Sequence, residues 1–205
     1  MKRIVMHWTA GAHNANGTDK RAYHYIIEGD GSIVKGNNPP EANRVITNPS
    51  DGSTYAAHTR GLNTGSIGVA VAAMRGAREV PFDAGPSPIT DAQVAAMVKH
   101  VAALADKYGI PVTRECVLTH AEVQPTLGVS QRQKWDIMWL PGMTKPTDPV
   151  AVGDMLRTQI RDALQARHVT PVTPKPVAAS PAPKSDVNGI AALIGRLAAW
   201  LGGRT

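Results

Sequence analysis

The chain has 205 residues, of which 42% are hydrophobic and 19% charged, and a formal net charge of +6. This is enough to bury one ordinary core with sequence left over, and it excludes a disordered polyelectrolyte. The basic balance suits acidic partners such as nucleic acid, anionic lipid or cell wall. No zinc-finger pair, RNA-binding aromatic pattern or long Lys/Arg run is present, so no nucleic-acid partner is expected. A single cysteine, Cys116, rules out an internal disulfide framework. No run approaches the ~20 apolar residues of a spanning helix. The opening residues 1–7 are too short in apolar character for a signal peptide. Synthesis in a cytosol is therefore expected, with any work outside it dependent on release by another route.

Taken in chain order, residues 2–7 read as a buried strand, 23–27 as a second and 32–35 as a third. Glu28-Gly29-Asp30-Gly31 between the last two predicts a hairpin. Residues 66–73 (SIGVAVAA) read as a central strand, apolar on both faces. Thr90 and Gln93 form a capping box for a helix to Tyr108, with Val94, Met97, Val101 and Leu104 on one face. Gly109 and Pro111 stop it. A further helix begins at Asp148-Pro149 and turns Val152, Leu156 and Ile160 inward. The segment 121–143 reads as a long loop, a usual location for functional residues.

These elements predict an α/β domain over residues 1–168, a mixed central β-sheet flanked by helices. Residues 169–186 are Pro/Ala-rich and read as an extended linker. Residues 187–205 read as a short basic amphipathic helix, for which contact with an anionic membrane is one expected use.

His7 ends one apolar run, His120 ends another (Cys116 to Thr119), and Asp136 stands in the long loop. Two imidazoles and a carboxylate are the donors of a catalytic zinc, which keeps a fourth position open for water. Lys134 would add a cation beside that position. Spacing alone leaves this reading and a structural role for the same histidines both open. Cys116 is no rival ligand: four residues along a strand it lies about 13 Å from His120, and it reads as a buried small hydrophobe. His100 and His168 read as solvated, and Glu122 as either a hydrogen-bond acceptor behind a ligand histidine or an exposed residue.

Four ordered blocks carry a resemblance. They are Met6-His7-Trp8-Thr9-Ala10-Gly11; Tyr23-His24-Tyr25-Ile26-Ile27 with Asp30-Gly31; His58-Thr59-Arg60-Gly61-Leu62-Asn63 with Ser66-Ile67-Gly68-Val69; and Thr119-His120-Ala121-Glu122-Val123 with Lys134 and Asp136. Over residues 1 to about 145 the chain resembles the type-2 N-acetylmuramoyl-L-alanine amidases, the zinc family that also includes peptidoglycan recognition proteins. The resemblance implies His7, His120 and Asp136 as ligands of Zn2+, and Tyr23 and Lys134 as catalytic residues. It places His58 and Asn63 near the substrate, which it implies to be peptidoglycan or a muropeptide. Some relatives carry a glutamate general base after the SIG block, where this chain has Gly68-Val69-Ala70-Val71; proton handling then falls on Tyr23 and Lys134. The implied role is that of a phage or prophage endolysin, made in the bacterial cytoplasm and acting on the wall after release to the periplasm. A cytosolic muropeptide-recycling amidase and a non-catalytic peptidoglycan-binding module are the alternatives.

Overall fold

A computed structural model of the chain describes residues 1–169; the linker and amphipathic helix expected beyond them lie outside the described residues. Five strands form one mixed sheet: β1 (Arg3–Trp8), β2 (Tyr25–Ile27), β3 (Ile33–Lys35), β4 (Ser66–Val71) and β5 (Val117–Thr119), in the order β3-β2-β4-β1-β5. β1 is parallel to both β4 and β5, and only the β2–β3 hairpin is antiparallel. Its turn closes through Glu28 N–H donating to Ser32 O at 2.9 Å, with Gly31 at φ 87°, a value glycine adopts without steric cost.

Residue alternation along the two central strands assigns the faces. Ile4, Met6 and Trp8 of β1 and Ile67, Val69 and Val71 of β4 belong to the main core. That core includes Met97, Val101 and Leu104 of α2 (Asp91–Tyr108) and Val152, Leu156 and Ile160 of α4 (Pro149–His168). Both helices start as expected. Thr90 and Gln93 exchange their capping-box bonds, and Asp148 accepts from Ala151 N–H at 2.8 Å. The opposite face holds a smaller cluster of Val5, Leu118 and Val123. Gly68 lies beneath the His58 ring, which a Cβ at position 68 would strike.

Two short helices escape the sequence pattern. α1 (Gly17–Ala22) begins at an Asn16/Asp19 capping box, and Tyr23 is its C-cap rather than the first residue of β2. α3 (Val123–Leu127) interrupts the segment expected to be loop. Five or six residues are too few to hold a helix by propensity; Val123 is anchored against Val5 and Leu118 instead. His100, expected in solvent, is half-buried with its ring edge-on to Tyr25 at 4.4 Å between centroids.

Glu122 takes neither expected position. It is fully buried and paired with Arg157 of α4, itself only 1% exposed, through bonds of 2.7 and 3.1 Å. Thr119 N–H donates to the same carboxylate at 2.8 Å, and Arg157 also donates to Val117 O at 2.9 Å. Burial pushes the Glu122 carboxyl up, while the guanidinium and the amide pull it back toward the ionised form. Gly153 makes this possible, because a Cβ there would fall within the Glu122 carboxylate. Alanine in a helix interior ordinarily gains ~0.5–1 kcal/mol over glycine, but overpacking costs ~1–3 kcal/mol. Gly153→Ala should therefore destabilise, read as a lower midpoint of urea unfolding.

Candidate active site

The sheet register builds the site. Met6 is level with Thr119, so His7 and His120 are next in line on adjacent parallel strands and face the same side. His120 N–H donates to Met6 O at 2.9 Å, continuing the ladder by one bond. Residues 113 apart in sequence thus meet at the carboxyl ends of the strands, where open parallel sheets place their sites. Asp136 arrives from the loop after α3. Ile137, directly behind it, is β-branched yet sits at φ 61°, and Arg132 and Gln133 are at 52° and 58°. Left-handed residues of this kind cost of order 1–3 kcal/mol each and concentrate where a loop must aim a functional group.

The three expected ligands are brought together. His7 Nδ1 and His120 Nδ1 are 3.1 Å apart, and Asp136 Oδ2 lies 3.0 Å from His120 Nδ1 and 3.5 Å from His7 Nδ1. Tetrahedral bonds of about 2.05 Å to one ion would separate donors by roughly 3.3 Å, so the spacing fits such an ion.

The donors' protonation fits as well. Gln131 Nε2 donates to Arg60 O and Val129 O, which fixes its Oε1 toward His120 Nε2 at 2.9 Å. His120 therefore carries its proton on Nε2 and keeps Nδ1 bare. His7 Nε2 faces Thr59 Oγ1 at 3.3 Å and His58 Nδ1 at 3.2 Å, either of which can accept its ring proton and so leave Nδ1 for an ion. Burial, then His120, lowers the His7 pKa to about 4, which keeps that ring neutral; burial opposes ionisation of Asp136, but its two histidine neighbours hold its carboxyl below the usual carboxylate range. Three donor atoms converging within 3.5 Å make this a candidate cation site.

Around it opens a cleft of about 640 Å³ whose lining includes Trp8, Tyr23, His58, Lys134 and Trp135. Trp8 and Trp135 meet edge-to-face at 4.5 Å. Tyr23 packs its ring 5.2 Å from that of His7 and directs its hydroxyl to Trp8 O at 3.4 Å. Burial and the Asp136 charge push the phenol up, so it stays protonated at neutral pH. Lys134 is exposed on the cleft and makes no ion pair among the described residues. His58 touches the cleft, but its main contacts are with His7, Thr59 and the backbone of Gly68. Asn63 is not brought to the cleft: its side chain accepts from Thr59 N–H at 2.8 Å and closes the turn that presents His58 and Thr59.

Gln131 and Thr59 are the site residues that sequence reasoning missed. Gln131 lies in a polar run, Ser130-Gln131-Arg132-Gln133, where nothing in type or spacing distinguishes it from Gln133. Partners behind a ligand histidine are worth about 10–100-fold in metal affinity. If the site takes zinc, Gln131→Leu should weaken its binding by that factor in chelator competition, with the fold retained by circular dichroism.

A mixed sheet with two histidines at neighbouring strand ends and an aspartate brought beside them by a loop, opening on a cleft with an exposed lysine, has the donor set of a metal-assisted hydrolase. Residues 1–142 match the family model described as N-acetylmuramoyl-L-alanine amidase. The chain belongs to that family, and it is an amidase acting on peptidoglycan. Among solved structures it is similar to the N-acetylmuramoyl-L-alanine amidase LysC from Clostridium intestinale URNW, with 18% identity over 78% of this chain and 85% of that one and a TM-score of 0.45. It is also similar to the Ph2119 endolysin from the Thermus scotoductus MAT2119 bacteriophage Ph2119, at 22% identity over 60% and 73%, TM-score 0.39. A third likeness is to AmiD from E. coli in complex with anhydro-N-acetylmuramic acid-L-Ala-D-gamma-Glu-L-Lys, at 21% identity over 59% and 48%, TM-score 0.39. No curated protein matches.

Proposed function

We propose that this amidase is zinc-dependent and works as a phage or prophage endolysin, reaching the wall from the cytoplasm by release to the periplasm. The convergence of His7 Nδ1, His120 Nδ1 and Asp136 Oδ2 carries the metal assignment. The substrate is of the class held in the AmiD complex, a muramyl peptide with L-alanine followed by γ-linked D-glutamate, and the bond cleaved joins the lactyl carbonyl to L-alanine. Zinc held by these three side chains would supply a Lewis acid and a source of hydroxide near neutral pH.

The chain's own residues do the rest. Lys134 sets a positive charge where the scissile carbonyl oxygen gains negative charge, a preorganised stabilisation worth about 10²–10³-fold. Tyr23, kept protonated, offers its Oη–H to orient the attacking water and to relay a proton toward the leaving amine of L-alanine. Asp136 is the cleft's sole carboxylate among the described residues, and the nearby Glu122 is committed to Arg157. Trp8 and Trp135 supply an apolar wall on which a sugar ring can pack. Lys134→Met should lower kcat by about 10²–10³-fold with little change in KM, measured on a soluble muropeptide.

The deciding experiment digests purified sacculi with and without chelator and with zinc restored. New L-alanine amino termini without new reducing sugars, lost on chelation and regained with zinc, are the expected result. Turnover of soluble muropeptides with intact sacculi untouched points to a recycling amidase instead. Tight sacculus binding with no new amino termini sinks the enzyme reading in favour of a recognition module.

A further inference from the structure

Beside the catalytic groups, the cleft carries two arginines that the reaction does not use, Arg60 and Arg132. Neither side chain makes an ion pair or hydrogen bond among the described residues, whereas Arg78, Arg114 and Arg157 are each committed to a carboxylate. They come from different loops that are joined at one point: Gln131 Nε2 donates to Arg60 O at 2.9 Å, one residue before Arg132. The same Gln131 holds His120, so the positions of both arginines are tied to that of a ligand histidine. Arg132 and Gln133 are held in the left-handed region without being glycine, a conformation that persists only where its surroundings enforce it. The cleft is thus lined by two exposed arginines with no anion among the described residues to pair them, since its one carboxylate faces the histidines.

On the amidase reading, on which this inference rests, the nearest anion of the substrate is fixed by covalent chemistry. A γ-linked glutamate keeps its α-carboxylate free. That group lies roughly 7 Å from the scissile carbon by standard bond dimensions, within a cleft of about 640 Å³. Anything on the third stem residue lies beyond the extra methylenes of the γ-linkage, outside that reach. Planar forks suit a carboxylate bidentately, and a carboxamide offers them one neutral acceptor. We propose that Arg60 and Arg132 form a carboxylate-reading subsite that selects stems with a free second-residue α-carboxylate over stems amidated there.

The test compares synthetic N-acetylmuramoyl-L-Ala-γ-D-Glu-L-Lys with its α-carboxamide counterpart, using the zinc-loaded full chain. A preference of about 10–100-fold in kcat/KM for the carboxylate is expected. In an R60M/R132M double variant the two values should converge to within about 3-fold, and R60K/R132K should fall between, retaining charge without the fork. Equal rates in the wild type, or a preference that survives R60M/R132M, overturn the proposal. Hydrolysis of neither compound sinks the amidase reading instead. Calorimetric Kd values for the same two compounds then decide the subsite: tighter binding of the carboxylate, lost in R60M/R132M, supports it, and equal affinities overturn it.

Discussion

Replacing His120 by alanine should abolish hydrolysis, by at least ~10³-fold, and with it stoichiometric zinc binding. Two donors would remain, His7 Nδ1 and Asp136 Oδ2, 3.5 Å apart, one short of the three protein ligands that a catalytic zinc takes. The fold should persist, because what ties His120 to the sheet is its backbone N–H to Met6 O, which alanine keeps. In the zinc-free protein the change removes one of three converging lone pairs but leaves the buried Gln131 Oε1 without its partner, so a loss of about 1–3 kcal/mol is expected. The informative measurement is therefore the melting temperature with and without zinc. A ligand that binds only the folded state raises it by mass action, and in H120A that rise should vanish. If H120A still melts higher with zinc and still releases L-alanine amino termini, His120 is not a ligand.

The same residue shows how far the sequence reaches. β1 and β4 were legible as continuous apolar runs, and α2 and α4 because each is long, apolar on the helical period and bounded by side chains with a capping mechanism, Thr90/Gln93 and Asp148. α1 and α3 were not, since helices of that length rest on tertiary contacts. In retrospect, the Asn16/Asp19 box was a readable start for α1. Donor types at strand ends and in the long loop pointed to His7, His120 and Asp136, but which residues stand level is a property of strand register, set by the whole sheet. The lone pairs that face inward depend on Gln131 and Thr59, whose roles exist only once the loops have folded onto β1 and β5. Asn63 fails for the same reason: its turn is in the right place, but its side chain is spent on Thr59 N–H. Buried polar residues were the least legible of all, because composition favours solvent for a glutamate or an arginine.

Glu122 and Arg157 illustrate the consequence and carry the largest expected effect on stability. Arg157→Met should lower the free energy of unfolding by about 3–5 kcal/mol, the usual result of leaving one member of a buried ion pair without its partner. The residual bond to Glu122, from Thr119 N–H at 2.8 Å, cannot neutralise a carboxylate that is fully buried. The effect should reach the site, because Arg157 also donates to Val117 O at 2.9 Å, and Val117 to Thr119 is the strand that ends at His120. Zinc affinity in R157M should therefore fall as well, by an amount that chelator competition can read in the folded protein. A second variant separates loss of the pair from loss of its packing. In E122L/R157M neither charge is left buried, and much of the lost stability should return, because apolar replacements of buried pairs are often neutral or better. The coupling between the two positions in the double-mutant cycle should then exceed about 1 kcal/mol. A loss below about 1 kcal/mol in R157M would show that Glu122 is already neutral in the folded chain, and that β5 is held by its neighbours in the sheet alone.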